Sequence, residues 1–462
     1  MDKIIIDFSK NAGKVKPMHA VNNGPVHKFH TIDQTASNLQ RFIDAGIPFA
    51  RTHDAAFCSA YGAEHTVDVN NIFRDWSADP YLPESYDFPC TDNYLRCIDA
   101  GGTKIFYRLG AKIEHWVKKY NTLPPKDFKK WAIVCEHIIR HYTEGWADGY
   151  YYDNTYWEIW NEPDLDDDDS TNKRCWGGTT KQFIEFYNIV FNHLKGCFPN
   201  LKIGGPAIAN VGRVIKGSGD PAIEGRIWME VFIENAEKKP DFFSWHVYSA
   251  TVEKVQKKIR LAREIMAKYG WGEEVESILN EWNYVRGWTN EDWFHSKDAW
   301  KTIKGASFVA SVMEMSQYEP VDMLMYYDAR PGAMNCLFDS DMVHRVRKGY
   351  YAFKMFNEIY KQKNAIEIAR ETEDVWAVAS KGEEQCVMLT YFNDADDASK
   401  EKEVKVEFNN VENKNGVVLE YYLLDENHDQ KIVREEKFTS TDFVSYLSVP
   451  LFGTYLLKIK SL

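Results

Sequence analysis

The sequence lacks a basic excess, a long apolar run and any grouping of cysteines, and each absence excludes something. Its 56 Lys+Arg against 69 Asp+Glu give 56 − 69 = −13. No positive field is there to attract nucleic acid or anionic lipid, so neither is an expected partner. No stretch approaches the roughly 18 consecutive apolar residues of a transmembrane helix, so no membrane partner is expected either. The opening residues, MDKIIIDFSKNAGKV, hold an apolar run of three, far short of a leader's core. Eight cysteines (Cys58, Cys90, Cys97, Cys135, Cys175, Cys197, Cys336, Cys386) lie scattered without metal-ligand spacing. That scatter reads as reduced thiols in a cytoplasmic protein, or in a secreted or periplasmic one whose leader has been removed.

Three motifs of other chemistries are also missing. Gly204-Gly205 has no third glycine and sits on an expected strand, which argues against a dinucleotide loop. No Gly-x-Ser-x-Gly element supports a serine hydrolase. His137 and His141 stand four apart, but Glu136 precedes His137 and the zinc-protease spacing is absent, so the pair reads as a structural helix face. No metal site and no organic cofactor are expected.

What is present is a chain of 462 residues with 15 Trp, 26 Tyr and 26 Phe. At about 150 residues per domain the length suggests three domains, or two if one is a (β/α)8 barrel. The aromatic excess fits a large core, and equally rings that stack on the apolar faces of sugars.

Short apolar, β-rich runs at 18–24, 47–54, 103–110, 156–163, 202–209, 242–249, 277–283 and 322–329 alternate with longer helical patterns. Residues 126–141 place Phe128, Trp131, Ala132, Cys135, Ile138 and Ile139 on one helical face, 179–194 repeat the pattern, and 350–360 close the series. Eight such βα units predict an α/β chain whose residues 15–360 form a (β/α)8 TIM barrel. Beyond 361 the texture changes to short alternating runs at 375–379, 386–392, 404–408, 417–424 and 454–459. That predicts a C-terminal antiparallel β-sandwich domain at 361–462, joined by an N-terminal strand at 2–9 that has no helix partner of its own.

Chemistry in a (β/α)8 barrel sits at the C-terminal ends of the strands. The fourth predicted strand reads Tyr156-Trp157-Glu158-Ile159-Trp160-Asn161-Glu162-Pro163, and the seventh contains Leu279-Asn280-Glu281-Trp282-Asn283. The two terminal glutamates are 281 − 162 = 119 residues apart, about 40 per βα unit over three units, against roughly 31 for a plain unit. Modest loop insertions account for the excess. Two carboxylates across a barrel mouth suit glycoside hydrolysis, in which one must hold a proton and the other must be ionised. Glu158 lies deeper along its strand and reads as structural. Asp164 and Asp166–Asp169 follow a proline and read as a solvated acidic loop.

Trp160-Asn161-Glu162-Pro163 and Leu279-Asn280-Glu281 resemble the strand-four and strand-seven signatures of clan A glycoside hydrolases. Around them the chain resembles glycoside hydrolase family 39, the β-xylosidase and α-L-iduronidase family. Arg51-Thr52-His53, Gly204-Gly205-Pro206, Trp245-His246-Val247-Tyr248, Leu337-Phe338-Asp339 and Gly349-Tyr350-Tyr351-Ala352-Phe353 extend the likeness over about 17–460. The resemblance implies a retaining, exo-acting hydrolase in which Glu162 is the acid/base, Glu281 the nucleophile and Asn161 a partner of the sugar 2-hydroxyl. Two departures fall where the terminal sugar belongs. Tyr326-Tyr327-Asp328 replaces the usual Tyr-Trp pair, and Asp54 stands where glycine is commoner.

Other strand-end residues complete the expected site. Arg51 is placed to orient Glu281 and keep it ionised. His53, Asp54 and His246 are expected at sugar hydroxyls, Tyr248 as a donor to Glu281, and Trp282 and Tyr327 as stacking surfaces, with Trp116 and Tyr326 as further aromatic candidates. The expected partner is a carbohydrate, β-xylosidase-like in the first instance. The alternatives are an α-L-arabinofuranosidase, β-galactosidase, β-glucosidase or iduronidase type. A non-catalytic sugar-binding barrel sits poorly with two carboxylates both present. Homo-oligomerisation is left open.

Overall fold

The computed structural model describes residues 2–27, 37–53, 66–153, 156–332, 334–413 and 415–462. The first strand, β1 (Asp2–Lys14), stands apart from the barrel. The barrel strands follow as β2 (Ala20–Asn22), β3 (Phe49–Arg51), β4 (Lys104–Leu109), β5 (Tyr156–Ile159), β6 (Lys202–Ile208), β7 (Phe242–Ser249), β8 (Glu276–Tyr284) and β9 (Met323–Tyr326). They pair in parallel in that order, and β2 closes on β9 with Val21 opposite Tyr326. All eight expected barrel strands are therefore present, each within a few residues of its predicted limits.

The helices follow from the same patterning. Asp127 caps the helix Phe128–Thr143 by accepting from the Lys130 amide at 3.0 Å. Thr179 caps Thr180–Cys197 through the Gln182 amide at 3.3 Å. Each helix lays one apolar stripe on the barrel. Ile303–Ser316 is different, because every residue except Lys304 is buried. It has no solvent side, since it is sandwiched between the barrel and the second sheet.

That sheet comprises β10 (Asn364–Glu371), β11 (Val375–Lys381), β12 (Gln385–Tyr391), β13 (Glu401–Asn409), β14 (Val417–Leu424), β15 (Asp429–Phe438), β16 (Phe443–Pro450) and β17 (Thr454–Ser461). With β1 they form one nine-stranded sheet in the order β15-β14-β17-β12-β11-β10-β1-β13-β16. Every pairing is antiparallel except β1 with β13. Alternate residues from both ends of the sheet, Val417 and Leu419 at one and Leu447 and Val449 at the other, meet in a single apolar cluster with Ile4, Ile6 and Phe8. The sheet therefore curls over its own core. The opposite face of β11 and β12 turns Trp376, Val378, Cys386 and Met388 into the barrel's core. Both faces of these strands are buried, which explains their near-continuous apolar sequences.

Three strands of this sheet, β10, β15 and β16, fall outside the runs expected from sequence. β15, DQKIVREEKF, is an edge strand whose residues are nearly all exposed, so packing imposes no apolar period.

Inside the barrel the inward-facing residues change character with height. At the floor Ala20, Phe106, Tyr156, Phe242, Ile278, Met323 and Met325 form a closed apolar plug. Two residues farther along β4, β5 and β7 the inward positions are Arg108, Glu158 and Ser244, all buried.

Candidate active site

The site assembles above that plug from the ends of five strands. On β5 the chain leaves the strand through two residues with left-handed backbone, Trp160 (φ 76°) and Glu162 (φ 47°). Such conformations cost non-glycine residues about 1–3 kcal/mol and persist only where surroundings enforce them. Here the Trp160 amide donates to the Leu109 carbonyl (2.8 Å) and its indole N–H to the Cys175 carbonyl (2.9 Å). The Glu162 amide donates to the Ala207 carbonyl (2.8 Å). The turn lifts Asn161 and Glu162 into the mouth. Gly205 on β6 lets β5 come close, since a Cβ there would lie 2.7 Å from the Ile159 carbonyl oxygen.

On β8 a bulge does the equivalent work. Trp245 pairs with Leu279 and His246 with Glu281, so Asn280 is an extra residue in the ladder. Asn280 and Glu281 consequently both reach the barrel interior, and Trp282, the next residue, faces outward.

Arg51, wholly buried at the end of β3, joins these parts. Its Nε donates to Glu158 Oε2 (2.6 Å), Nη1 to Glu281 Oε1 (2.9 Å) and Asn22 Oδ1 (3.0 Å), and Nη2 to Asn161 Oδ1 (2.6 Å). Glu158 also accepts from Ser244 Oγ (2.6 Å) and from Asn280 Nδ2. One guanidinium thus makes both the expected orienting contact to Glu281 and an ion pair with Glu158.

Glu281 is enclosed at 4% exposure. His53 Nε2 lies 3.3 Å from Oε1, Tyr248 donates its hydroxyl to Oε2 at 2.9 Å, and His246 Nδ1 lies 3.5 Å from Oε2. Burial alone would raise its pKa. The charges of His246, His53 and Arg51, with the His53 hydrogen bond, outweigh burial and hold the carboxyl well below the usual carboxylate range. Burial and the Glu281 charge push the Tyr248 hydroxyl well above its ordinary value, so it stays a donor.

Glu162 is half-buried and lacks such a cage. His246 Nδ1 lies 2.9 Å from its Oε1, and Cys175 Sγ 3.9 Å from Oε2. A carboxylate oxygen of Glu162, a ring nitrogen of His246 and a carboxylate oxygen of Glu281 all lie within 4.8 Å of one another. Asp164 is buried nearby and accepts from the amides of Ala209 (2.6 Å) and Asn210 (3.2 Å). Burial, with the Glu162 charge added, pushes its carboxyl up to about 7 against the pull of those amides.

Asp164, expected in a solvated loop, is thus buried, and two further expectations need correction. Trp282 has 0% exposure, and its ring packs against Tyr326 (5.5 Å between centroids) and Phe308 (6.3 Å). As the strand neighbour of an inward Glu281 it points to the helix layer and offers no face to a sugar. The His246 side chain also has 0% exposure and addresses the two carboxylates, not an open hydroxyl position. Tyr327 stands half-buried at the mouth, its ring 5.2 Å from His53. Trp116 is 83% exposed and Tyr326 is buried. Asp54 lies outside the described residues. The His137 and His141 rings are occupied by the Ile133 carbonyl, and by the Trp146 carbonyl and Asp92, respectively.

Sequence reasoning did not assign Asn22, Ser244, Asn280 or Trp288. Ser244 precedes His246 and Tyr248 at steps of two on β7, a period that could have flagged it. Trp288, 67% exposed, sits edge-on to Tyr248 at 5.6 Å and marks the rim.

Likeness to known proteins extends to family and fold. A family profile described as "Glycosyl hydrolases family 39" matches residues 65–443. The chain is 26% identical over 198 residues to a β-xylosidase of Geobacillus stearothermophilus, covering 40% of this chain and 34% of that protein. It is 26% identical over 219 residues to a β-xylosidase of Caldicellulosiruptor saccharolyticus, covering 45% and 40%. The aligned stretch thus spans well under half the length of these relatives. Among solved structures, a glucosidase from Croceicoccus marinus superposes with TM-score 0.78 at 19% identity, over 100% of this chain and 99% of that one. A monomeric β-xylosidase from Caulobacter crescentus superposes with TM-score 0.71 at 15% identity over 100% of both.

Proposed function

Since the chain belongs to family 39 of the glycosyl hydrolases, we propose that it is a retaining, exo-acting glycosidase, β-xylosidase-like, with Glu281 as nucleophile and Glu162 as acid/base. The observation that carries this reading is the approach of the two carboxylates, with oxygens within 4.8 Å of one another. Retaining enzymes separate their carboxyl groups by about 5–5.5 Å, inverting ones by about 6.5–9.5 Å to admit a water.

The two surroundings suit the two roles. The cationic cage keeps Glu281 ionised for attack on the anomeric carbon. Glu162 donates its proton to the leaving oxygen, and a glycosyl ester forms on Glu281. Glu162, now anionic, removes a proton from water, which attacks the ester and frees the sugar with its configuration retained. Arg51 turns the Asn161 carbonyl oxygen toward itself, and the amide Nδ2 has no hydrogen bond among the described residues. It is free to donate to the sugar 2-hydroxyl.

The named relatives favour a xyloside. The Tyr326-Tyr327-Asp328 segment keeps a second reading, a glucosidase type, in play. Aryl β-xyloside, β-glucoside, β-galactoside and α-L-arabinofuranoside substrates, followed by proton NMR of the first sugar anomer released, decide both questions. Xyloside cleavage with retention is expected. A first product of inverted configuration, or no cleavage of any glycoside, overturns the proposal.

A further inference from the structure

On the barrel's outer flank the helices Phe128–Thr143 and Thr180–Cys197 bring together three side chains that the proposed hydrolysis does not use. His193 and Cys197 lie four apart in the last turns of the second helix and so share a face. Glu136 projects from the first. That second helix leads into Lys202, the floor end of β6, so the cluster lies away from the mouth.

Glu136 Oε2 is 2.7 Å from His193 Nε2, and His193 Nε2 is 3.9 Å from Cys197 Sγ. One ligand atom from each residue lies within 4.8 Å of both others. Among the described residues one further cluster shares this closeness, the pair of catalytic glutamates with His246. Arg140 Nε holds Glu136 Oε1 at 2.8 Å, which leaves Oε2 turned to the histidine. The same guanidinium reaches Glu144 through Nη1 and also lies against the Cys197 thiol, so a metal bound there must displace that contact. Such support of a ligating carboxylate is what a metal site requires around its ligands. The last turn of an 18-residue helix also presents its carbonyl ends, which favour a cation.

We propose that Glu136, His193 and Cys197 form a peripheral site for one zinc-class divalent cation, bound through Oε2, Nε2 and Sγ with water as the fourth ligand. Thiolate, imidazole and carboxylate together are the donor set of zinc and its borderline neighbours cobalt and nickel. Tetrahedral geometry at ordinary bond lengths asks for about 3.3 Å between nitrogen and oxygen and about 3.6 Å between nitrogen and sulfur. The present nitrogen–oxygen distance of 2.7 Å is shorter than its target and the nitrogen–sulfur distance of 3.9 Å longer, so small side-chain shifts accompany binding. The ion takes the place of the proton shared by Glu136 and His193, and the thiol proton of Cys197 leaves to solvent. The His193 side chain is 32% exposed, so water reaches the fourth position. An ion there ties two neighbouring helices together and stabilises the folded chain by mass action.

Cobalt(II) added to the metal-free, full-length protein tests this directly. The expected result is one equivalent bound, with a near-ultraviolet thiolate-to-cobalt charge-transfer band and the visible bands of a tetrahedral ion, both removed when zinc displaces the cobalt. Cys197→Ser should lose the charge-transfer band while keeping glycosidase activity. His193→Gln and Glu136→Gln should each weaken binding at least about tenfold. Far-ultraviolet circular dichroism establishes that each variant is folded. Should one variant fail to fold, the band and stoichiometry of the unaltered protein, with the remaining variants, still decide. Absence of a charge-transfer band at saturating cobalt, or a band that survives in Cys197→Ser, overturns the site. Loss of cobalt binding in Glu281→Gln alone would place the ion at the mouth and overturn it equally.

Discussion

The floor and the mouth of the barrel are built by the same strands yet do opposite things. On β5 the inward residues run from Tyr156 to Glu158, and on β7 from Phe242 through Ser244 to His246. Below, rings pack closely, with Phe106 5.2 Å from Tyr156 and 5.3 Å from Phe242. Above, one buried arginine is shared by two carboxylates and two amides. The floor gains free energy from apolar burial. The mouth pays desolvation for its charges and is stable only because each has partners. Activity and stability are therefore separable by height, except at Arg51, where they meet.

The largest expected effect comes from Glu281→Ala, which should lower kcat by at least roughly 10⁴-fold with circular dichroism unchanged. Substantial turnover in that variant would sink the assignment. Arg51→Ala strands Glu158 without its charged partner, at about 3–5 kcal/mol of stability, and should also lower kcat/KM. A variant that loses only one of the two would break the claim that this residue couples them. Phe106→Ala should cost a similar 3–5 kcal/mol in chemical denaturation while the molecules that remain folded keep their kcat.

A smaller effect is expected from pH. The Asp164 carboxyl titrates near 7 in the folded chain, against 3.8 ordinarily. The folded state thus holds a proton that the unfolded chain has released, and stability falls as pH rises between about 4 and 7. Glu281, held below its ordinary value, works in the other direction, its stabilisation being complete above about pH 5 and lost toward acid. Asp164→Asn should flatten the decline of Tm with pH, and an unchanged slope would contradict the buried ionisation. Smallest is Trp288→Ala at the rim. It should raise KM for aryl aglycones by several-fold, about 0.5–1.5 kcal/mol, and leave alkyl aglycones almost unaffected.

Much of this was legible because it is written in short-range patterns. The barrel strands announce themselves by apolar runs at regular spacing, and the two glutamates by Asn-Glu at two strand ends. Arg51 and Tyr248 were placed correctly against Glu281 because strand alternation aims them at it. Trp282 was misassigned although the same rule applied, since the neighbour of an inward glutamate must face out. His246 is on the expected face, but its nearness to both carboxylates depends on the one-residue bulge at Asn280, which leaves no sequence mark. Asn22 and Ser244 are ordinary polar residues whose importance arises from contacts 29 and 86 residues away. The edge strand β15 escaped notice because solvent on both faces asks nothing of its sequence.

The position of β1 has a consequence for how the molecule is made. This strand precedes the whole barrel in the chain, yet it sits between β10 and β13, with Asp2 opposite Val404, 404 − 2 = 402 residues later. Without it the sheet divides into six strands ending at β10 and a detached pair, β13 with β16. The barrel can close strand by strand as synthesis proceeds, whereas the second sheet must wait for its earliest segment and its latest ones to meet. β1 therefore acts as a latch across the sheet, one that can engage β13 only after the barrel between them has been made.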